Sequence, residues 1–349
     1  MRVKVSVLGH FGEEVNLLNG QTVKTKIITE ELQRQLGKKH VVKFDTHGGW
    51  KTLFKAPFQV FGALKSSTNV LIFPAQNGLR IYAPLLFLQR RLFKERKIHY
   101  VVIGGWLPEF LMKRKTLTKI LKKFDGIYVE TYTMKSALKA KGFENVYVMA
   151  NCKKLTILAE DDLIYPSEPT YKLCTFSRVM REKGIEDAVN AVTTVNTELG
   201  FEALSLDIYG HVDDKQIVWF DSLQKKFPPY IRYTGCIPFD QSVDVLKNYF
   251  ALLFPTYYEG EGFAGTLIDA YSAGIPVIAS DWKYNSELVN ANVGWVYPVG
   301  NQDAFVNILK ETISNQKRMC YIKRMCLKEA SKYSPDTVVQ VLIEQIKDN

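Results

Sequence analysis

The chain has 349 residues, 46% of them hydrophobic, which is enough for two cores; at about 150 residues per domain, two are expected. No apolar run reaches the roughly 18 residues that a membrane-crossing helix needs, and the opening Met-Arg-Val-Lys-Val-Ser-Val-Leu-Gly is too short and too charged for a signal peptide. The five cysteines are scattered, odd in number and lack zinc-ligand spacing, so reduced thiols in the cytoplasm are expected and a disulfide scaffold is excluded. The net charge of +10 is uneven: residues 1–165 carry 28 Lys+Arg against 13 Asp+Glu, and residues 166–349 carry 18 against 23. The basic clusters at 89–97, 113–115 and 119–123 lie beside Leu and Phe on expected helices, a surface suited to lipid head groups, nucleic acid or pyrophosphate-linked substrates.

In chain order, 3–9 reads as an apolar strand ending in glycine. A long polar loop, 10–22, follows it and leads into a helix over 23–36. A loop at the carboxyl end of a first strand is where open α/β sheets bind ligands, although the dinucleotide fingerprint G-x-G-x-x-G is absent. Further strands are expected at 41–46, 69–74, 98–103, 126–130 and 146–149, with helices over 82–94 and 134–141. Short apolar strands separated by helical patterns predict a parallel, doubly wound sheet. Residues 150–170 are polar and rich in turn formers, and read as a linker. The alternation then restarts. Strands are expected at 172–176, 204–209, 231–234, 251–254, 276–280 and 296–298, and helices over 185–199, 215–226, 242–249, 266–273, 303–314, 317–332 and 335–347. The domains are thus 1–165, 166–334 and a terminal helix, 335–349.

The stretch 254–280 concentrates the chemistry. Pro255 ends a strand, and Gly260, Gly262 and Gly265 permit a tight loop that feeds a helix N-terminus. Free backbone N–H groups and the helix dipole make such a terminus an anion seat. Glu261 lies before the helix and Asp269 about one turn inside it. An anion seat with flanking acids suits a ligand bearing both phosphates and hydroxyls. A second set sits after the second domain's first strand, where Arg178 and Lys183 occupy a loop entering a helix. Arg clamps phosphate bidentately and Lys adds a point charge. Carboxyl-end loops share one sheet edge, so these cations are expected to face Glu261 and Asp269. The alternative is that they pair on the surface with Glu182 or Glu186.

Ser177-Arg-x4-Lys-Gly184, followed by Glu261-Gly-Phe-Ala-x4-Asp269-Ala and by Gly274-Ile-Pro-Val-Ile278, resembles the retaining family-4 glycosyltransferases of GT-B fold. The resemblance is strongest over 170–300. It implies an α/β GT-B architecture, with two Rossmann-like doubly wound parallel-sheet domains facing a central cleft: an acceptor domain first and a donor domain second, the terminal helix crossing back to the first. It implies that Arg178 and Lys183 hold the donor diphosphate and that Glu261 meets the donor sugar. Phe263, Ala264, Gly265 and Thr266 would offer backbone amides to sugar and phosphate. Asp269 would take the ribose hydroxyls, while Gly210, Gly235 and Ile237 lie by the nucleoside. Gly20 and Gln21 would form a loop closing over the phosphates. The acid at 269 is usually Glu in such enzymes, and the His common after the fourth strand is replaced by Gly-Gly-Trp, leaving His10 and Trp106 as acceptor-side candidates.

The chain has no Asp-x-Asp motif, so no metal and no cofactor are expected. The expected donor is a nucleotide diphosphate sugar, with uridine preferred to guanosine. The expected acceptor is a lipid-linked saccharide of surface polysaccharide synthesis (capsule or O-antigen), reached at the inner face of the membrane through the basic half. No nucleic-acid-binding motif is present. Three rival readings are a nucleotide-sugar epimerase of the same fold, a non-enzymatic binder of anionic ligands and a degenerate transferase acting as a scaffold, against which Glu261, Arg178 and Lys183 all stand intact.

Overall fold

The computed structural model describes residues 4–12, 20–48, 50–93 and 95–347, the side chains of 50–53 and 239 excepted. The chain divides into two compact units, residues 1–154 with 333–349, and residues 155–332.

The first unit contains strands β1 (Val5–Gly9), β2 (Val41–Asp45), β3 (Asn69–Ile72), β4 (Lys97–Val101), β5 (Gly126–Val129) and β6 (Val146–Val148). They form one parallel sheet in the order β2-β1-β3-β4-β5-β6. β1, β3 and β5 are buried along their whole length, as strands covered on both faces must be. The order reverses between β1 and β3, so the crevice outside their carboxyl ends is this sheet's ligand position.

The chain's end closes this core. The helices Pro335–Val338 and Gln340–Lys347 bury Val338, Leu342, Ile343 and Ile346 in the cluster that holds Val5, Val7, Phe11, Ile28 and Leu71. The apolar spacing of 338, 342, 343 and 346 is helical, which is why this segment forms one stripe against the sheet. Residues 155–165, expected to close the first domain, instead belong to the second unit. Leu158 N donates to Ser272 O at 2.8 Å, and Leu163 is buried.

The helix Trp50–Ser66 was not legible in the sequence. Pro57 and Gly62 interrupt its propensity, and Phe54, Phe58 and Phe61 lie on its exposed side, blurring the amphipathic pattern. A second surprise is a fully buried ion pair, Lys24 Nζ to Glu130 Oε1 at 2.6 Å. It ties the helix Gly20–Leu36 to the end of β5.

The second unit contains β7 (Tyr171–Phe176), β8 (Leu204–Tyr209), β9 (Ile231–Gly235), β10 (Ala251–Phe254), β11 (Val277–Ser280) and β12 (Gly294–Tyr297). Their order is β12-β11-β10-β7-β8-β9, again all parallel. The order reverses between β7 and β10, so the switch point lies there.

This unit buries an unbalanced cation. Lys323 is 1% exposed, and its ammonium donates to the Tyr249 carbonyl at 3.2 Å with no carboxylate against it among the described residues. Burial lowers its pKa from 10.5 to about 8. The folded state thus binds fewer protons than the unfolded chain between these values, and stability rises with pH across that window. Below pH 8 the charged form costs about 3 kcal/mol. Lys323→Met is therefore expected to raise the melting temperature at neutral pH. Its advantage over the wild type should shrink as pH is taken from 8 towards 10.5 in calorimetry; an advantage independent of pH would show that charge is not the cause.

Candidate active site

The carboxyl ends of β7 and β10 carry the two sequence motifs, and the switch point brings them together. Backbone contact does this first. Gly184, at φ 69°, lies so close to the loop after β10 that a Cβ would stand 2.1 Å from the Pro255 carbonyl oxygen. Tyr257 N donates to Glu182 O at 2.8 Å, and the Thr256 hydroxyl oxygen lies 3.3 Å from the same carbonyl. Only glycine permits that approach in a left-handed conformation.

The side chains follow. Lys183 Nζ donates to Glu261 Oε2 at 2.5 Å, with the two side chains 11% and 8% exposed. Thr256 Oγ1 donates to the same oxygen at 2.8 Å. The Tyr258 ring receives two cations, Lys183 Nζ at 5.0 Å and the Arg178 guanidinium at 5.7 Å. Arg178 also reaches Asp213 Oδ2 at 3.3 Å and is otherwise open to solvent. The cations thus pair with Glu261 and Asp213, not with Glu182 or Glu186.

The helix Gly265–Ser272 begins beside Glu261. Its N-cap, Ala264, supplies no side-chain cap, so the first-turn N–H groups lack that partner. The Thr266 hydroxyl in that turn is buried and has no hydrogen-bond partner among the described residues. An uncapped first turn and an unpartnered hydroxyl at a helix N-terminus are what an anionic group would satisfy. Phe263 is buried, so its contribution to a ligand is limited to its backbone. Asp269 is 1% exposed and accepts from Ser242 Oγ at 2.8 Å. A ribose reaching this carboxylate has to open that contact.

Gly210 follows β8 at φ 131°, where a Cβ would stand 1.8 Å from the Ser177 carbonyl oxygen. Its N–H donates to Gly235 O at 2.9 Å, and its carbonyl accepts from the Tyr233 hydroxyl at 2.8 Å. Gly235 ends β9, and Ile237 is half-buried just beyond. The nucleoside candidates thus line the edge that continues from Arg178.

In the first unit, Gly20 and Gln21 open the helix Gly20–Leu36 instead of lying in a loop, and residues 13–19 fall outside the described residues. The helix starts three residues earlier than expected because Gln21 Nε2 donates to Phe73 O at 3.0 Å, fastening the first turn to the end of β3. His10, after β1, is hydrogen-bonded at both ring nitrogens, to Thr22 Oγ1 at 2.7 Å and to His47 Nδ1 at 2.8 Å. Burial and the neighbouring His47 lower its pKa, so the ring is neutral at pH 7. Trp106 is half-buried, donates to Ile103 O at 2.8 Å and meets Phe110 edge-on at 5.1 Å.

Sequence reasoning passed over Thr256, Tyr258, Asp213, Ser242 and His47. Thr256 and Tyr258 lie on the strand-to-loop turn already singled out, so their position was a usable signal. Asp213 and Ser242 come from other strand ends and carry no local pattern.

Against this geometry, the comparisons with known proteins are consistent. Residues 164–332 match the family model described as glycosyl transferases group 1. Over 150 residues the chain is 31% identical to the GtfA subunit of a UDP-N-acetylglucosamine–peptide N-acetylglucosaminyltransferase from Streptococcus gordonii, covering 40% of this chain and 27% of that one. The chain thus spans about a quarter of that relative's length. Among solved structures it resembles the lipopolysaccharide outer core galactosyltransferase WaaB (TM-score 0.73, 18% identity, 99% of both chains). It also resembles Anabaena HepE in complex with UDP-glucose (TM-score 0.72, 14% identity, 99% of this chain and 100% of that one). The fold is the two-domain α/β GT-B fold.

Gly210→Ala is expected to cost about 2–4 kcal/mol, through a left-handed φ and a backbone collision at Ser177. Gly200→Ala is the control: its φ is 77° but nothing lies within 4 Å of the added Cβ. Its cost should be nearer 1 kcal/mol in urea unfolding. Equal costs would show that the close approach at Ser177 is not a constraint.

Proposed function

We propose that the chain is a glycosyltransferase that moves a sugar from a nucleotide diphosphate sugar to a hydroxyl acceptor, with retention of anomeric configuration and without a metal. The observation that carries this is the meeting of Lys183, Arg178 and Glu261 around Tyr258, at the switch point and beside an uncapped helix N-terminus. Two cations and an uncapped helix N-terminus suit a diphosphate, and a buried carboxylate suits sugar hydroxyls. The similarity to a UDP-N-acetylglucosamine-dependent relative, and to a fold neighbour that binds UDP-glucose, favours uridine as the base.

In this reading the bond from the anomeric carbon to the diphosphate oxygen breaks, and negative charge grows on the leaving group. Arg178 and Lys183 stabilise it electrostatically, and the Thr266 hydroxyl and first-turn amides add donors. The acceptor oxygen bonds to the anomeric carbon on the face the diphosphate leaves. Its proton passes to a diphosphate oxygen. Glu261 orients the sugar, since its carboxylate is already fixed by Lys183 and Thr256.

The acceptor is proposed to be a lipid-linked saccharide of surface polysaccharide synthesis, met at the cytoplasmic face of the membrane. The chain's uncompensated positive charge supports this reading, and no described helix is long and apolar enough to cross a membrane. His10 and Trp106 are the acceptor-side candidates.

Arg178→Ala and Glu261→Ala should each remove about 2–4 kcal/mol of transition-state stabilisation, measured as kcat/KM. Uridine diphosphate should raise the melting temperature without magnesium, and Arg178→Ala should abolish the shift. Product of inverted configuration would rule out the same-face scheme. Turnover of the donor to an epimer with no acceptor present would favour the epimerase reading instead.

A further inference from the structure

Among the described residues, Lys283 is the one residue other than glycine with a left-handed backbone, at φ 50°. It stands in the turn after β11, which Asn285 N closes by donating to Trp282 O at 3.0 Å. Glycine adopts that conformation freely, whereas lysine holds it at a cost. The surroundings fix the turn. Ser280 Oγ donates to Thr256 O at 2.5 Å, Trp282 Nε1 to Tyr258 O at 2.7 Å, and Asn285 Nδ2 to Ser280 O at 3.0 Å. The turn after β11 is thus fastened to the loop after β10, which carries Tyr258 and Glu261.

The strained backbone delivers a cation. The Lys283 side chain is 10% exposed, and its ammonium meets Glu259 Oε2 at 3.2 Å and lies 5.9 Å from the Trp282 ring centre. Three cations are therefore gathered about Tyr258. Arg178 and Lys183 face its ring, and Lys283 is next to the indole that holds its carbonyl. They pair with Asp213, Glu261 and Glu259 in turn. A diphosphate accounts for the first two. Glu259 is 78% exposed, and a pair with so exposed an acid adds little stability, so it is a weak structural reason for keeping lysine in a glycine conformation.

The order of the strand ends indicates what the third cation meets. Along the sheet edge the nucleoside candidates follow β9 and β8, the two diphosphate cations follow β7, and Glu261 follows β10. The next strand in that direction is β11, with Lys283 at its end. Neighbouring strands are about 4.8 Å apart, so one further step is about the width of a sugar ring. A donor laid from β9 to β10 turns towards β11 the sugar edge remote from its anomeric carbon.

We propose that Lys283 selects the donor sugar by pairing with a carboxylate on that edge, so that the preferred donor is a nucleotide-linked hexuronic acid and not the neutral hexose. Glu259 holds the ammonium until the sugar arrives and then turns to water, which its exposure makes inexpensive. The proposal deepens the function above and rests on its donor site, but Lys283 and Glu259 are separate from the groups assigned to the diphosphate and the reacting carbon.

The test is isothermal titration of the full chain, without magnesium, with uridine diphosphate, UDP-glucose and UDP-glucuronate. The wild type is expected to bind UDP-glucuronate about tenfold more tightly than UDP-glucose, the effect of one charge-assisted hydrogen bond. Lys283→Gly should make the two sugar nucleotides equal and leave uridine diphosphate unchanged. It should melt no lower than the wild type, since glycine relieves the left-handed strain. Glu259→Gln should tighten UDP-glucuronate alone by removing the competing acid. Equal affinities in the wild type, or a preference that survives Lys283→Gly, overturn the proposal. A Lys283→Gly protein that melts lower and loses all three ligands in proportion overturns it in favour of a structural lysine. Uridine diphosphate bound without preference between the sugars is the failure of this proposal alone, whereas no binding of uridine diphosphate removes the donor site and this proposal with it.

Discussion

The ion pair between Lys183 and Glu261 is the interaction on which the second unit's chemistry depends. Its members come from loops on different strands and meet only because β7 and β10 are neighbours. Withdrawing two charges from water is costly, so such a pair persists only where geometry and further hydrogen bonds compensate. Thr256 and the Tyr258 ring supply that compensation here. In the proposed reaction a donor diphosphate would compete for the same ammonium, and sugar hydroxyls for the same carboxylate. The pair therefore holds both groups in place before a ligand divides them, which lowers the ordering cost of binding.

Much of the fold was legible because strands buried on both faces read as short apolar runs, as β1, β3, β5 and β10 do, whereas the half-exposed edge strands β2 and β9 carry polar residues and were legible from the rhythm of the pattern. The GT-B pairing of two such sheets followed from the restart of the pattern after 170. What escaped the sequence depended on contacts remote along the chain. The helix Gly20–Leu36 gains its first turn from a carbonyl on β3, more than fifty residues away. The chain passes between the two compact units at 154–155, ahead of the polar turn formers, because Leu158 and Leu163 find partners in the second unit that no local composition reveals.

The candidate site divides in the same way. Glu261, Arg178 and Lys183 could be singled out by residue type and strand-end position, and the structure brings them together around Tyr258. Thr256, Asp213 and Ser242 are ordinary polar residues whose roles arise from the fold. His10 shows the limit of reasoning from residue type. As a histidine on a cleft loop it invited an acid–base role, yet both its nitrogens are engaged, and it joins His47 to Thr22 as a neutral bridge. A ring so placed fixes the loop after β1 more readily than it takes a proton.

The division of charge between the units has a structural basis as well as a compositional one. In the second unit several cations are matched locally: Arg178 with Asp213, Lys183 with Glu261, Arg232 with Asp207, Arg318 with Glu311 and Arg324 with Glu160. In the first unit, residues 46–124 hold only Glu95 and Glu109 as acids. Surface pairs contribute little to stability, so the missing acids cost the fold almost nothing. Their absence instead leaves most of the chain's excess positive charge on the first unit, where a field can extend about a Debye length into solvent.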